Sequence, residues 1–140
     1  MIKAQADIEA KDMHGGTALM WAVSGNAVDT AWLLIKAGAS LEAKGSVIGE
    51  GIEITPLMFA AGSNFVEVSK VLIEAGADVN AWGVFGDDIT PLMLAVYRNS
   101  ADVAKLLIEA GADVSVAVKF RLRYNRCSGI MYQELQERYE

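Results

Sequence analysis

The sequence predicts an all-α repeat solenoid, in which stacked helix–turn–helix units carry β-hairpin fingers between them. Two observations predict it. Residues 17–23 (TALMWAV), 55–61 (TPLMFAA) and 90–96 (TPLMLAV) align without a gap. Sixteen residues after each of these threonines a second block begins: LLIKAGA at 33–39, VLIEAGA at 71–77 and LLIEAGA at 106–112. Two blocks at one fixed separation, three times over, mark a repeat array. Each unit of such an array buries its apolar face only by stacking on its neighbours.

Each unit reads as two antiparallel helices. Thr17, Thr55 and Thr90 stand before apolar runs as N-caps, and Pro56 and Pro91 follow in the first turn, where the missing N–H costs little. Ala22, Ala60, Ala61 and Ala95 are small enough to let a neighbouring helix approach closely. Asn26, Asn64 and Asn99 occupy one equivalent position between the two helices; asparagine tolerates the left-handed conformation, so these mark the turn. Gly38, Gly76 and Gly111 supply the stop of the second helix. An alternating stretch follows each stop, ASLEA at 39–43, ADVNA at 77–81 and ADVSV at 112–116, and ADIEA at 6–10 opens the chain. Period-two alternation after a helix stop predicts a short extended arm leading into a hairpin.

These blocks resemble the ankyrin repeat, whose units carry a Thr-Pro-Leu-His-x-Ala segment on a period of about 33 residues. Asp12, Gly15 and Thr17 match the family's Asp-x-x-Gly-x-Thr finger, and the resemblance covers about residues 6–116. The chain departs from the pattern twice. Met20, Met58 and Met93 stand where the family has the histidine that ties loop to helix, so stability there is expected to rest more on packing. The Thr-to-Thr spacing is 38 and then 35. The distance from Thr to the Gly stop never changes, so the extra residues lie in the fingers.

The ends differ. Residues 1–16 read as an extended arm and first finger, residues 17–115 as the helix pairs, and residues 116–140 as a long finger with a capping helix striped by Met131, Leu135 and Tyr139. Ala18, Trp21 and Trp32 have no obvious neighbour on the N-terminal side. Either the first unit is self-sufficient, or the array continues with further repeats, or that end meets a partner or a second copy.

With 53% hydrophobic and 21% charged residues in 140, the chain is neither disordered nor fibrous. No apolar run approaches the roughly 18–20 residues of a membrane span. Without an apolar segment near its start, it is expected to be cytoplasmic. The net charge of −6 argues against general nucleic-acid binding, which needs a basic surface. Residues 1–115 hold 7 Lys+Arg against 15 Asp+Glu, or −8, whereas residues 116–140 hold 5 against 3, or +2.

Catalytic and cofactor chemistry find no constellation. Cys127 is the one cysteine and His14 the one histidine, too few for a structural zinc site, which draws about four ligands. They lie some three units apart, well beyond the hydrogen-bond contact a nucleophile and base require. Gly83 and Gly86, and Gly45 and Gly49, read as finger turns, since no Lys-Ser/Thr follows to make a phosphate loop. Asp87 and Asp88 lack the alternating ligands of a calcium loop.

A binding surface remains. The second finger (residues 44–54) carries Val47, Ile48, Ile52 and Ile54, which pack on a neighbouring finger or meet a partner. The third sets Trp82 and Phe85 beside Asp87 and Asp88, apolar anchors within a polar rim of the kind that dominates binding energy. The resemblance implies a concave surface joining fingertips to the ends of the first helices, which adds Met13, His14, Ser24, Gly25, Gly62, Ser63, Tyr97 and Arg98. Tyr97 and Arg98 are residue types enriched at interfaces. Glu50, Glu53, Asp87 and Asp88 give this surface a negative rim, which favours a partner with basic groups.

The expected function is therefore non-catalytic binding of a protein partner by a rigid scaffold, with no cofactor and no membrane. Two alternatives stand beside it. One is a regulatory or targeting piece of a larger protein, an enzyme or an effector. The other is weak anion or nucleic-acid binding through the basic strip Lys119, Arg121, Arg123 and Arg126.

Overall fold

The computed structural model describes residues 7–46, 53–85 and 87–115, with the backbone alone at residues 84, 85, 87 and 88. Six helices form three antiparallel pairs: α1 (Ala18–Ser24) with α2 (Val28–Lys36), α3 (Pro56–Gly62) with α4 (Val66–Glu74), and α5 (Pro91–Tyr97) with α6 (Ala101–Glu109). Two three-residue strands, β1 (Gly83–Phe85) and β2 (Asp87–Ile89), pair antiparallel in the third finger, with Gly83 opposite Ile89. The architecture is an all-α repeat fold. None of its described helices is long and apolar enough to cross a membrane.

Each inner helix has only seven residues, about two turns, too short to stand alone in water. Local chemistry fixes where it starts. Thr17, Thr55 and Thr90 hold extended backbone, and their Oγ1 atoms accept from the N–H of Met20, Met58 and Met93 at 3.4, 3.3 and 3.3 Å.

All six helices end in the same two-bond motif. Asn26, Asn64 and Asn99 adopt φ of 52, 55 and 59°, and Gly38, Gly76 and Gly111 adopt 96, 100 and 96°. After α2, for example, the Gly38 N–H donates to Ile35 O and the Ala39 N–H to Leu34 O, both at 3.0 Å. After α1 the corresponding donors are Asn26 and Ala27, on Val23 O and Ala22 O. The left-handed residue turns the chain back and leaves two fewer carbonyls unpaired.

The core runs the length of the stack. Leu19, Leu57 and Leu92 from the inner helices meet Leu34, Leu72 and Leu107 from the outer ones, all buried, with Ala22, Ala60 and Ala95 keeping the inner helices close. Val68 and Val103 are fully buried, whereas Thr30, at the equivalent place in the first pair, is exposed. The polar residue falls where no unit precedes it within the described residues.

The alternating stretches are turns, where extended arms were predicted. Asp7, Ser40, Asp78 and Asp113 each accept, through a side-chain oxygen, from the N–H two residues on: Glu9 at 3.0 Å, Glu42 at 3.3 Å, Asn80 at 2.9 Å and Ser115 at 2.9 Å. A short polar side chain thus closes a turn on its own backbone. The residue after the apolar position then reaches the next unit. Glu9 accepts from the Ser40 N–H at 2.7 Å, Glu42 from the Asp78 N–H at 2.8 Å and Asn80 from the Asp113 N–H at 2.8 Å. The alternation records one residue facing the core and the next bonded to a neighbouring unit.

Candidate interaction surface

The first finger is organised by one carboxylate. Asp12 Oδ1 accepts from the N–H groups of Gly16 (2.8 Å) and His14 (2.9 Å), and Oδ2 accepts from Trp21 Nε1 (2.8 Å). These bonds favour the ionised form, so they hold the Asp12 carboxyl below its ordinary range; the Gly16 amide contributes most, then the indole, then the His14 amide. Gly15 turns the tip at φ 80°. Met13, 90% exposed, and His14 stand outward from it.

The described start of the second finger lies against the first. Ser46 N–H donates to His14 O at 3.1 Å, and Gly45 and Ile54 exchange backbone bonds at 3.2 and 3.1 Å. A Cβ on Gly45 would overlap the Gly15 carbonyl oxygen. In the next interface a Cβ on Gly83 would sit 2.6 Å from Glu53 O and 2.8 Å from Met58 Cε. Gly45 and Gly83 were expected to make turns. Their role is close approach: neither has positive φ, and each lets one finger's backbone lie against the next.

Beneath the fingers Ile54, Met58, Ile89 and Met93 form a second buried cluster, with Phe59 and Leu94 packed against it. Two of the methionines that replace the family's histidine therefore join finger to helix through apolar contact, as expected. Met93 does more: its Sδ accepts from the Thr90 N–H at 3.3 Å and completes a reciprocal cap with the Thr90 hydroxyl. Sequence reasoning missed that sulfur acceptor.

On the outer side of this cluster the Lys44 Nζ lies over the Trp82 ring, 3.9 Å from its centroid, while Trp82 is 55% exposed. Glu53 is exposed in the second finger. At the far ends of the inner helices Tyr97 is 57% exposed, and Arg98 caps α5, its Cγ near Gly62. Phe85, Asp87 and Asp88 are in the third-finger hairpin, where Val84 opposes Asp88 and Phe85 opposes Asp87. Glu50, Val47, Ile48 and Ile52 lie outside the described residues, as does residues 116–140 with the basic strip and predicted capping helix.

The structure thus links the first three fingers by backbone contact and leaves Met13, His14, Glu53, Trp82, Tyr97 and Arg98 exposed. Lys44 was not among the residues singled out from sequence. Its place before Gly45, in a finger long enough to reach the next, was the available signal. The first unit also exposes Trp21, Trp32 and Leu33, with the Lys36 ammonium 5.0 Å from the Trp32 ring. Among the described residues no group of three His, Cys, Asp or Glu side chains is placed to hold a metal ion.

A family model described as ankyrin repeats (3 copies) matches residues 46–117, and a second, described as ankyrin repeat, matches residues 14–46. No curated protein matches the chain. Together the two family matches meet at residue 46 and span all six helices and the three capped threonines, and on that ground the chain belongs to the ankyrin-repeat family.

Proposed function

We propose that this chain is a non-catalytic module that works in the cytoplasm and binds a protein partner through its fingers and the adjoining ends of its inner helices. Ankyrin repeats generally mediate protein–protein interaction. The observation that carries the reading here is the exposure of Met13, Trp82 and Tyr97 on fingers and helix ends whose backbone is pinned unit to unit. Large side chains held on a preorganised surface lose little entropy on binding, so they contribute disproportionately to affinity. Fold alone names no target.

The test is a pull-down from source-cell lysate with the intact chain and a Trp82→Ala plus Tyr97→Ala variant. A partner kept by the first and lost by a still-folded second supports the reading. A partner held equally by both moves the contact to the first unit, with its exposed Trp21, Trp32 and Leu33, or to the basic strip Lys119, Arg121, Arg123 and Arg126. Retention of no partner at all would support the alternative of a segment working inside a larger protein.

A further inference from the structure

We propose that the Trp82 ring is a cation platform that Lys44 occupies in the free protein, and that the partner displaces Lys44 with an arginine side chain. This deepens the finger-binding reading and rests on it. Tryptophan is the strongest aromatic partner for a cation, and the Lys44 ammonium is already seated over its ring at 3.9 Å. Among the described residues no carboxylate pairs with that ammonium, although Glu53 is exposed on the same finger and has no cationic partner there either.

The backbone around Lys44 is anchored independently of its side chain. Lys11 Nζ donates to the Lys44 carbonyl at 3.4 Å, and Gly45 is bridged to Ile54. The lysine stem is therefore free to swing off the ring without unmaking the finger. The occupant that replaces it is specified by charge and shape. Residues 44–54 and 82–89 hold one lysine against Glu50, Glu53, Asp87 and Asp88, a balance of −3. A guanidinium is planar and weakly hydrated, so it stacks on an indole while its edge forks onto a carboxylate. A lysine ammonium meets the ring as a point charge. The chemistry of the guanidinium thus favours arginine over the internal lysine, and the acidic balance of the two fingers favours a basic segment over a neutral one.

The test titrates the intact chain with a fluorescein-labelled peptide of alternating Arg and Gly, and with the same peptide carrying Gln for Arg. Affinity is read by anisotropy, and the indole N–H signals by NMR, with Trp82 assigned from Trp82→Phe. The arginine peptide is expected to move the Trp82 signal and leave those of Trp21 and Trp32 in place, while the glutamine peptide moves none. Lys44→Met, which keeps an unbranched stem and removes the competing ammonium from the ring, is expected to tighten the arginine peptide by about two- to fivefold. A thermal melt verifies that the variant is folded.

Weaker or unchanged binding by Lys44→Met overturns the proposal, because Lys44 is then a clamp between fingers. Equal movement of all three indoles, or equal binding of both peptides, also overturns it. Should these fail while the lysate partner still depends on Trp82 and Tyr97, the arginine assignment falls and the finger surface stands. Should that dependence vanish as well, both fall.

Discussion

In the first finger a single carboxylate, Asp12, gathers two backbone amides and an indole N–H into the contact that ties loop to helix. In the third, Ile89 closes the same junction by burying itself against Ile54, Met58 and Met93. Both lead into an equivalent threonine and both deliver an inner helix of seven residues. The junction tolerates either solution because it asks only that the finger be fixed at the helix start. The two solutions differ in what breaks them. The apolar one depends on volume, and the polar one depends on ionisation.

The largest effect should come from the apolar side. Ile89→Ala removes a fully surrounded side chain and is expected to lower unfolding stability by about 2–5 kcal/mol in urea melts. A loss near zero would show that the third finger is held by its hairpin alone. Next is Gly45→Ala, which places a methyl against the Gly15 carbonyl and should cost about 1–3 kcal/mol in the same assay. Retained stability would mean that the first and second fingers are not in backbone contact.

The same substitution made in two units then sharpens the comparison. Met93→Leu keeps the volume but removes the sulfur that accepts from Thr90 N–H, at about 0.5–1.5 kcal/mol. Met20→Leu should cost less, since the structure shows the sulfur-to-threonine bond only at Met93 among the described residues. Equal losses would assign the third-unit effect to packing.

The smallest effect is visible mainly as a pH dependence. The Asp12 carboxyl is held below its ordinary value of 3.8, so its stabilising contribution is present above that value and fades as pH falls through the folded one. The melting-temperature gap between the natural chain and Asp12→Asn should be constant near neutrality and close in acid. A gap that persists unchanged into strong acid would show that charge is not what holds the first finger.

The helical body was legible because its rules are local. A threonine before an apolar run, an asparagine at the return and a glycine at the stop each have one mechanical meaning at that place, and the structure gives them the capping bonds and φ values they imply. The stretches around Asp7, Ser40, Asp78 and Asp113 were misread because five alternating residues fit a strand and a side-chain-closed turn equally well. Only the oxygen two residues before the amide separates them. Gly45 and Gly83 carry long-range information, since the atoms they make room for belong to other fingers. The exposed Trp82 and Tyr97 could be named from residue type, but the cation resting on Trp82 comes from a different finger and from no local pattern.

The side-chain bridges between successive turns give the array a set of built-in reporters. The amide protons of Ser40, Asp78 and Asp113 are each shielded by an acceptor from the unit before, so each should trade with solvent when that one boundary opens. In a nearest-neighbour array, each boundary carries its own interface energy. Exchange rates at these three amides would therefore give the order in which the stack comes apart. The Asp78 bridge spans the same two loops that lead into the second and third fingers. A peptide gripping both fingers should slow exchange at Asp78 without touching it, and leave Ser40 and Asp113 nearly as they were.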